Sequence, residues 1–223
     1  MAVGAAVSTS YCRLKGRRMP SPPPGPEAAD LRRSFIAIPL PEEYKKHLEA
    51  VQRQIGAILP PIRWSRFDNL HLTLRFLGDR NEETLEQVAV SMLSVARLSA
   101  AFEIHFQQLG AFPTPRRARV IWLGPDSLMQ LTRLHRKLDD ALRSCGIPPD
   151  EKPFRPHLTL GRIRGRPLDL SEPLTRLGAI DGGRLRIGSM VLYESRLLPG
   201  AARHLPRAEA NLGGVTYSDT TAD

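Results

Sequence analysis

The sequence predicts an α+β fold in which two halves are roughly repeated. One observation is a His-Leu-Thr-Leu phrase that occurs twice, at residues 71–74 and 157–160, with neither copy in a low-complexity stretch. Another is the order of hydrophobic patterns along the chain, which runs strand, helix, strand, helix, strands, helix, strand, strand. Neither half is set off by a recognisable linker. We therefore expect one domain of two lobes, spanning residues 34–200.

The first half opens with a short apolar segment at 35–38, which ends at Pro39 and predicts a buried strand. Pro41 then opens a helix whose first turn carries two acidic residues, where they complement the helix dipole. The apolar residues of this helix recur at helical spacing: Leu48, Val51, Ile55 and Ile58. After the first phrase, Asn81 suits the N-cap of a second helix. The apolar face of the second helix comprises Leu85, Val88, Met92 and Val95.

The second half begins with two alternating segments, 102–106 and 119–123, which predict two further strands. A helix follows and ends at Gly146, because glycine is the preferred residue just beyond a helix C-terminus. The apolar residues of this helix are Leu128, Leu131, Leu134, Leu138 and Leu142. Pro156 introduces the second phrase, and the alternation over 184–197 predicts one last long strand.

The segments 1–33 and 201–223 are predicted to lie outside the folded domain. The first is rich in Pro and Arg, and such a composition cannot build a core, so it is expected to be disordered. We favour a tail without function, with a transit peptide or a translation start at Met19 as the alternatives. After Pro199 the hydrophobic pattern fades, so the C-terminal extension is expected to be partly disordered.

Composition limits the classes of protein to which the chain can belong. Its 223 residues are enough to bury a sizeable core. The net charge of +9 favours a polyanionic partner such as RNA, although coding bias explains the preference for Arg over Lys equally well. Two cysteines, Cys12 and Cys145, imply no disulfide framework and fit a reducing, cytoplasmic setting. No stretch approaches the ~18 consecutive apolar residues of a membrane helix, so no membrane association is expected.

Each copy of the repeated phrase predicts a strand with chemistry on one face. Side chains alternate along a strand, so His and Thr point one way and both Leu residues point the other. Two such strands can bring the imidazoles of His71 and His157 and the hydroxyls of Thr73 and Thr159 to one ligand. Imidazole titrates near neutrality, so one histidine can act as general acid and the other as general base. The symmetry of the phrases leaves open which histidine does which.

The paired phrases resemble the signature of the 2H phosphoesterase superfamily. The residues around them are similar, in order, to the bacterial and archaeal RNA 2′,3′-cyclic phosphodiesterase family, also called 2′-5′ RNA ligases. The similar blocks are 34–38, 69–78, 110–113, 153–157 and 194–197, so the resemblance covers about residues 34–200. It implies a bilobal fold in which two pseudo-symmetric antiparallel-sheet lobes with outer helices face each other across a central cleft.

The resemblance also implies an activity and the roles of four residues. The activity is that of an RNA 2′,3′-cyclic 3′-phosphodiesterase, which opens a terminal 2′,3′-cyclic phosphate to a 2′-phosphomonoester without a metal or another cofactor. His71 would be the proton donor to the 3′ oxygen, and His157 the proton acceptor that activates water. Thr73 and Thr159 would bind the non-bridging phosphate oxygens. We expect the partner to be RNA with a terminal 2′,3′-cyclic phosphate, and the protein to be a cytoplasmic monomer.

Three residues beside the phrases are further candidates. Arg162 resembles, by its offset from His157, the family's phosphate-binding arginine, and Arg155 is a second candidate for the phosphate. Phe76 stands at the same offset from His71 and is a candidate for base stacking, with a core role equally open. Because this offset is odd, a flat strand would aim both side chains away from the histidines. A bend or bulge is required to return them to the cleft.

Other functions fit the sequence less well. There is no His-Glu-x-x-His or paired-cysteine spacing for zinc, no Gly-x-Ser-x-Gly, no P-loop and no Lys-x-Asp-Gly of a nucleotide-dependent ligase. The remaining histidines have no partner phrase and are assigned no chemistry: His47, His105, His135 and His204. Within the superfamily, a 2′-5′ RNA ligase or a phosphodiesterase of small cyclic nucleotides is the alternative. From another class, the alternative is a non-catalytic RNA-binding module, which would bind RNA without hydrolysing it.

Overall fold

The computed structural model describes residues 31–198 and 201–213 of the chain, which form an α+β fold. The strands in the described part are β1 (Arg32–Pro39), β2 (Arg63–Trp64), β3 (His71–Arg80), β4 (Phe102–Phe112), β5 (Val120–Pro125), β6 (Leu158–Arg162), β7 (Arg184–Ile187), β8 (Ser189–Leu198) and β9 (Ala201–Asn211). The helices are α1 (Glu42–Gly56), α2 (Glu82–Arg97), α3 (Met129–Leu142) and α4 (Ser171–Leu177).

The strands pair antiparallel in the order β7-β4-β5-β6-β3-β1-β8-β9, with the short β2 paired beside β6. The two strands that carry the repeated phrase, β3 and β6, are neighbours at the centre and are joined through the pair Leu72 and Leu158. Each lobe predicted from the sequence is therefore a set of four strands. One lobe is β3-β1-β8-β9 and the other is β6-β5-β4-β7.

Each half of the chain contributes a helix that packs on the other lobe. Helix α1 follows β1 but packs on the second lobe, where the Tyr44 ring contacts Phe106 of β4 and Gln52 donates to the Leu160 carbonyl of β6 at 2.9 Å. Helix α3 lies in the second half of the chain but contacts β3 and α2. One continuous hydrophobic core therefore joins the lobes.

The first three helices follow the predicted patterns closely. Asn81 caps α2, because its side chain accepts a hydrogen bond from the Thr84 backbone nitrogen at 3.0 Å. The predicted apolar faces of α1, α2 and α3 are buried, with two exceptions. Ile58 and Leu128 lie just outside α1 and α3 and are exposed. Gly146 follows α3 with φ +70°, a left-handed conformation that glycine adopts without strain.

The prediction of one long strand over 184–197 was wrong. Two strands separated by Gly188 occupy this region. Strand β7 pairs with β4 at one end of the sheet, whereas β8 pairs with β1 and β9 near the other end. Alternation continues on both sides of Gly188, so the periodicity does not reveal that the chain changes lobes there.

The structure extends the folded domain beyond both predicted boundaries. Arg32 and Arg33, predicted to belong to the disordered tail, begin β1 and pair with β3. Ala201–Asn211, predicted to belong to the C-terminal extension, form β9 and pair with β8 over its full length. The rest of both predicted tails, residues 1–30 and 214–223, lies outside the described residues. No helix among the described residues is long and apolar enough to cross a membrane.

Candidate active site

The two copies of the repeated phrase meet at one cleft, with a volume of about 800 Å³. His71 and Thr73 line the cleft from β3, and His157 and Thr159 line it from the start of β6. The leucines between and after them point into the core, with exposures of at most 2%. The alternation predicted from the sequence therefore places both imidazoles and both hydroxyls on the cleft face.

Both histidines are held in the same way. The Nδ1 atom of His71 lies 3.0 Å from the Asn69 carbonyl oxygen, and the Nδ1 atom of His157 lies 2.7 Å from the Arg155 carbonyl oxygen. A carbonyl oxygen only accepts, so Nδ1 must carry the proton in both rings. The other ring nitrogen, Nε2, is then the acceptor in the neutral ring. In His71 it lies 3.1 Å from the hydroxyl oxygen of Thr73.

A bulge occurs at the same point in both phrases. In β3 the pairing with β1 skips Leu74, and in β6 the pairing with β5 skips Leu160. An extra residue reverses the alternation, so Phe76 and Arg162 return to the cleft despite their odd offsets. Both residues line the cleft, and Phe76 is 67% exposed.

Arg155 contributes its backbone rather than its side chain. Its side chain is exposed and is not among the residues that line the cleft. Its carbonyl oxygen, however, is the acceptor that orients His157. Of the predicted site residues, the structure therefore brings six together in the cleft and leaves the side chain of Arg155 outside.

One residue that the sequence did not single out lies directly beside a catalytic candidate. His204 of β9 lines the cleft, and its ring stands almost perpendicular to that of His71, with 5.3 Å between the ring centroids. It also meets the Phe35 ring edge-on at 4.9 Å. Asn69 helps to fix β9 here, because its side chain donates to the Ala202 carbonyl at 3.1 Å. His204 reaches the cleft through the pairing of 189–198 with 201–211. Pro206 interrupts the strand pattern of the second segment, so the sequence does not indicate this pairing.

Positive charge surrounds the cleft. Five arginines line it, and none of its described lining residues is acidic: Arg33, Arg63, Arg66, Arg162 and Arg164. Guanidinium groups bind phosphate oxygens in a planar, two-pronged geometry. The cleft is therefore suited to an anionic ligand that carries phosphate.

Burial changes the titration of both histidines. It is the main cause that lowers the pKa of His71 to about 4; the nearby His204, His157 and Lys45 add to this shift, and the Asn69 carbonyl opposes it. Burial also lowers the pKa of His157; the Arg155 carbonyl opposes this shift and the Arg162 charge adds to it. Both rings are therefore neutral at pH 7 before a ligand binds.

Among the described residues, no group of three or more His, Cys, Asp or Glu side chains is arranged to hold a metal ion. The groups that face the cleft are instead imidazoles, hydroxyls and guanidiniums. Such groups can exchange protons and bind oxyanions.

Comparison with protein families identifies similar sequences. The family model described as LigT-like phosphoesterase matches residues 38–122 and again 123–203. An RNA 2′,3′-cyclic phosphodiesterase of Methanothermobacter thermautotrophicus is 33% identical over 169 residues, which is 75% of this chain and 91% of the relative. A protein of the same name from Thermotoga maritima is 33% identical over 172 residues, which is 75% of this chain and 88% of the relative.

Solved structures show the same fold. TT0787 of Thermus thermophilus matches with a TM-score of 0.69 and 27% identity, over 82% of this chain and 99% of that protein. The Escherichia coli LigT complexed with 3′-AMP matches with a TM-score of 0.65 and 25% identity, over 82% of this chain and 98% of that protein. The bilobal α+β architecture expected from the sequence is therefore confirmed.

Proposed function

The chain belongs to the LigT-like phosphoesterase family, and we propose that it is an RNA 2′,3′-cyclic phosphodiesterase that leaves a 2′-phosphomonoester. One observation carries the proposal. Two histidines with the same Nδ1 anchor share an arginine-lined cleft, so their Nε2 atoms can serve one phosphate. The names of the relatives from Methanothermobacter thermautotrophicus and Thermotoga maritima support the choice of RNA as substrate.

In the proposed reaction, His157 is the proton acceptor and His71 the proton donor. The neutral Nε2 of His157 takes a proton from a water molecule whose oxygen attacks phosphorus. As the new oxygen–phosphorus bond forms, the bond between phosphorus and the 3′ oxygen breaks. Protonated His71 gives its proton to this 3′ oxygen, which leaves the phosphate on the 2′ oxygen. The overall reaction consumes one water molecule. Proton exchange then returns His71 to its protonated form and His157 to its neutral form.

The remaining groups bind the substrate. In the proposal, Thr73, Thr159 and Arg162, which line the cleft, bind the non-bridging oxygens, whose negative charge grows in the transition state. The exposed ring of Phe76 offers a stacking surface for a nucleobase. Arginines outside the repeated phrases extend the positive surface along which the phosphates of a longer RNA can lie.

Protonation of His71 is proposed to accompany substrate binding. Its pKa of about 4 keeps the ring neutral in the free protein at pH 7. A phosphodiester carries one negative charge, and an opposite charge in contact with an imidazole favours the protonated form. The substrate thus supplies the electrostatic condition under which His71 becomes an acid.

We further propose that the reaction proceeds without a metal ion, in the cytoplasm and on a single chain. Two imidazoles can supply both proton transfers, and the threonines and Arg162 can hold the phosphate charge, so the proposed steps require no Lewis acid. The low cysteine content supports a reducing compartment. Every side chain named in these steps comes from one chain.

The test is hydrolysis of a short RNA that ends in a 2′,3′-cyclic phosphate, in excess EDTA, with identification of the product isomer. We expect a 2′-phosphate, and loss of turnover in His71→Ala and His157→Ala. His105→Ala is the matched control, because His105 bonds Asp181 at 3.0 Å and lies outside the cleft. A 3′-phosphate product would reverse the assigned proton roles. RNA binding without turnover in the parent protein would contradict the proposal.

A further inference from the structure

Arg75 is a buried charge that the proposed reaction does not use. It lies on β3 immediately after the bulged Leu74, and its side chain is only 3% exposed. It faces the core side of the strand, away from the cleft. A buried guanidinium is costly unless charged and polar partners surround it. The partners of Arg75 therefore indicate what this charge holds in place.

Two of these partners lie on the segment that leads to His157, residues 147–156, which we call the linking segment. Arg75 forms an ion pair with Asp150 and donates from Nη2 to the Pro148 carbonyl. A third partner, Asp139 on α3, lies 3.0 Å from Nε. One side chain of the first catalytic strand thus fixes the start of the segment that delivers the second catalytic histidine.

The linking segment is fixed again just before its end. The Phe154 ring stacks on His135 of α3, with 4.1 Å between the centroids and 13° between the ring planes. The next residue is Arg155, whose carbonyl oxygen orients His157 at 2.7 Å. The Arg155 carbonyl, which accepts from His157, therefore lies on a segment that is fixed at two points. Arg75 makes the first of these contacts.

The anchor of His71 does not involve this network. His71 is oriented by the Asn69 carbonyl, and the Asn69 side chain is tied to Ala202 of β9. The two histidines share the same local bond but depend on different parts of the fold. Loss of a contact that holds the linking segment should therefore disturb His157 and leave His71 unchanged.

We propose that Arg75 is a positioning residue for His157, which acts by holding the linking segment and, through it, the Arg155 carbonyl. This inference rests on the proposed role of His157 in catalysis. The tautomer of a histidine is observable without turnover, however, so the two proposals can fail separately.

The experiment records nitrogen-15 NMR spectra of the histidine side chains in the full-length protein. We compare the parent with Asp150→Asn, Arg75→Met and Arg75→Lys. Asp150 is 43% exposed, so Asp150→Asn removes the ion pair from the edge of the network with the least risk to folding. Asp140→Asn is the matched control, because Asp140 is an exposed carboxylate of α3 that pairs with Arg143 within its own turn.

We expect a single Nδ1–H tautomer for both His71 and His157 in the parent protein. In Asp150→Asn and Arg75→Met, His157 should become a mixture of tautomers while His71 keeps its signals. The rate constant kcat should fall about tenfold in Arg75→Met with KM within twofold, because misplacement of a reacting group affects the chemical step. Arg75→Lys should restore only part of kcat, since an ammonium does not reproduce the planar fork.

Other outcomes contradict the inference. If the His157 signals of Asp150→Asn and Arg75→Met match those of the parent, the linking segment does not need Arg75. If both histidines change together, or if Asp140→Asn has the same effect, the change reflects general loss of stability. If the His157 tautomers mix but kcat is unchanged, Arg75 positions His157 and it is the proposed role of His157 that fails.

Discussion

The binding of a cyclic phosphate should raise the pKa of His71 by about three units. The perturbation is a saturating RNA with a terminal 2′,3′-cyclic phosphate, bound to the His157→Gln variant so that it is not consumed. The substrate is a diester and keeps one negative charge across the pH range. In the free protein, burial holds the pKa of His71 at about 4.

The size of the shift follows from the charge that the cleft admits. A phosphate oxygen hydrogen-bonded to Nε2 places the anionic charge about 4 Å from the ring, where an effective dielectric constant of about 20 gives about 4 kcal/mol. Since 1.36 kcal/mol corresponds to one unit, this is about three units of pKa. The pKa of His71 in the complex is then about 7, and the ring is half protonated at neutral pH.

The assay is a proton NMR titration of the His71 ring, with and without the RNA. The kinetic counterpart is a profile of kcat, which reports the complex, displaced to higher pH than the profile of kcat/KM, which reports the free protein. A pKa of His71 that stays within half a unit when the RNA saturates the cleft would refute the reasoning. A pKa of His71 near 6.5 in the free protein would refute the lowering of this pKa by burial.

Three further predictions concern stability and phosphate binding. The folded-state pKa of His71 lies below its unfolded value near 6.5, so unfolded chains bind more protons between these values and the free energy of unfolding falls as the pH falls from 6.5 to 4. His71→Phe should reduce this dependence by up to about 3 kcal/mol, as measured by urea unfolding at several pH values. In Gly110→Ala the new methyl group would overlap the Trp122 ring, so we expect the free energy of unfolding to fall by about 1–3 kcal/mol. Because the Trp122 ring contacts His157, kcat should fall as well. Arg162→Ala should lower kcat/KM by roughly 10- to 100-fold and Arg162→Lys by less, since a charged hydrogen bond contributes about 1.5–3 kcal/mol; equal effects of the two substitutions would contradict a two-pronged contact.

The repeated phrase carried most of what could be predicted about the cleft. Alternation alone places the imidazoles and hydroxyls on one face and the leucines on the other. The odd offsets of Phe76 and Arg162 are equally informative, because they require a bend or a bulge in each strand if these residues are to face the cleft. The observed bulges at Leu74 and Leu160 meet this demand in both lobes. The positions of residues close to the motif in sequence could therefore be predicted.

The residues that escaped prediction reach the cleft through long-range pairing. His204 is brought to His71 by the pairing of β9 with β8, and nothing in its local sequence marks it. Alternation in a flat strand would place Arg75 on the same face as His71 and Thr73, and only the bulged strand of the structure shows that it is buried beside Asp139 and Asp150. At Gly188 the chain passes from one lobe to the other inside a continuous alternating pattern. Such features depend on which segments meet, and periodicity does not specify that.

The fold also separates two histidines that the sequence presents as equivalent. Burial lowers the pKa of His157, and Arg162, a permanent cation, adds to this shift at every pH. The ring of His204 packs on His71 and has a pKa lowered by burial, so it is neutral near pH 7, whereas the Lys45 charge opposes protonation of His71. The main obstacle to protonation of His71 is burial, and an anionic substrate in contact with the ring offsets that cost. A phosphate bound at Nε2 of His71 would therefore favour the protonated ring that the proposed reaction requires of its proton donor.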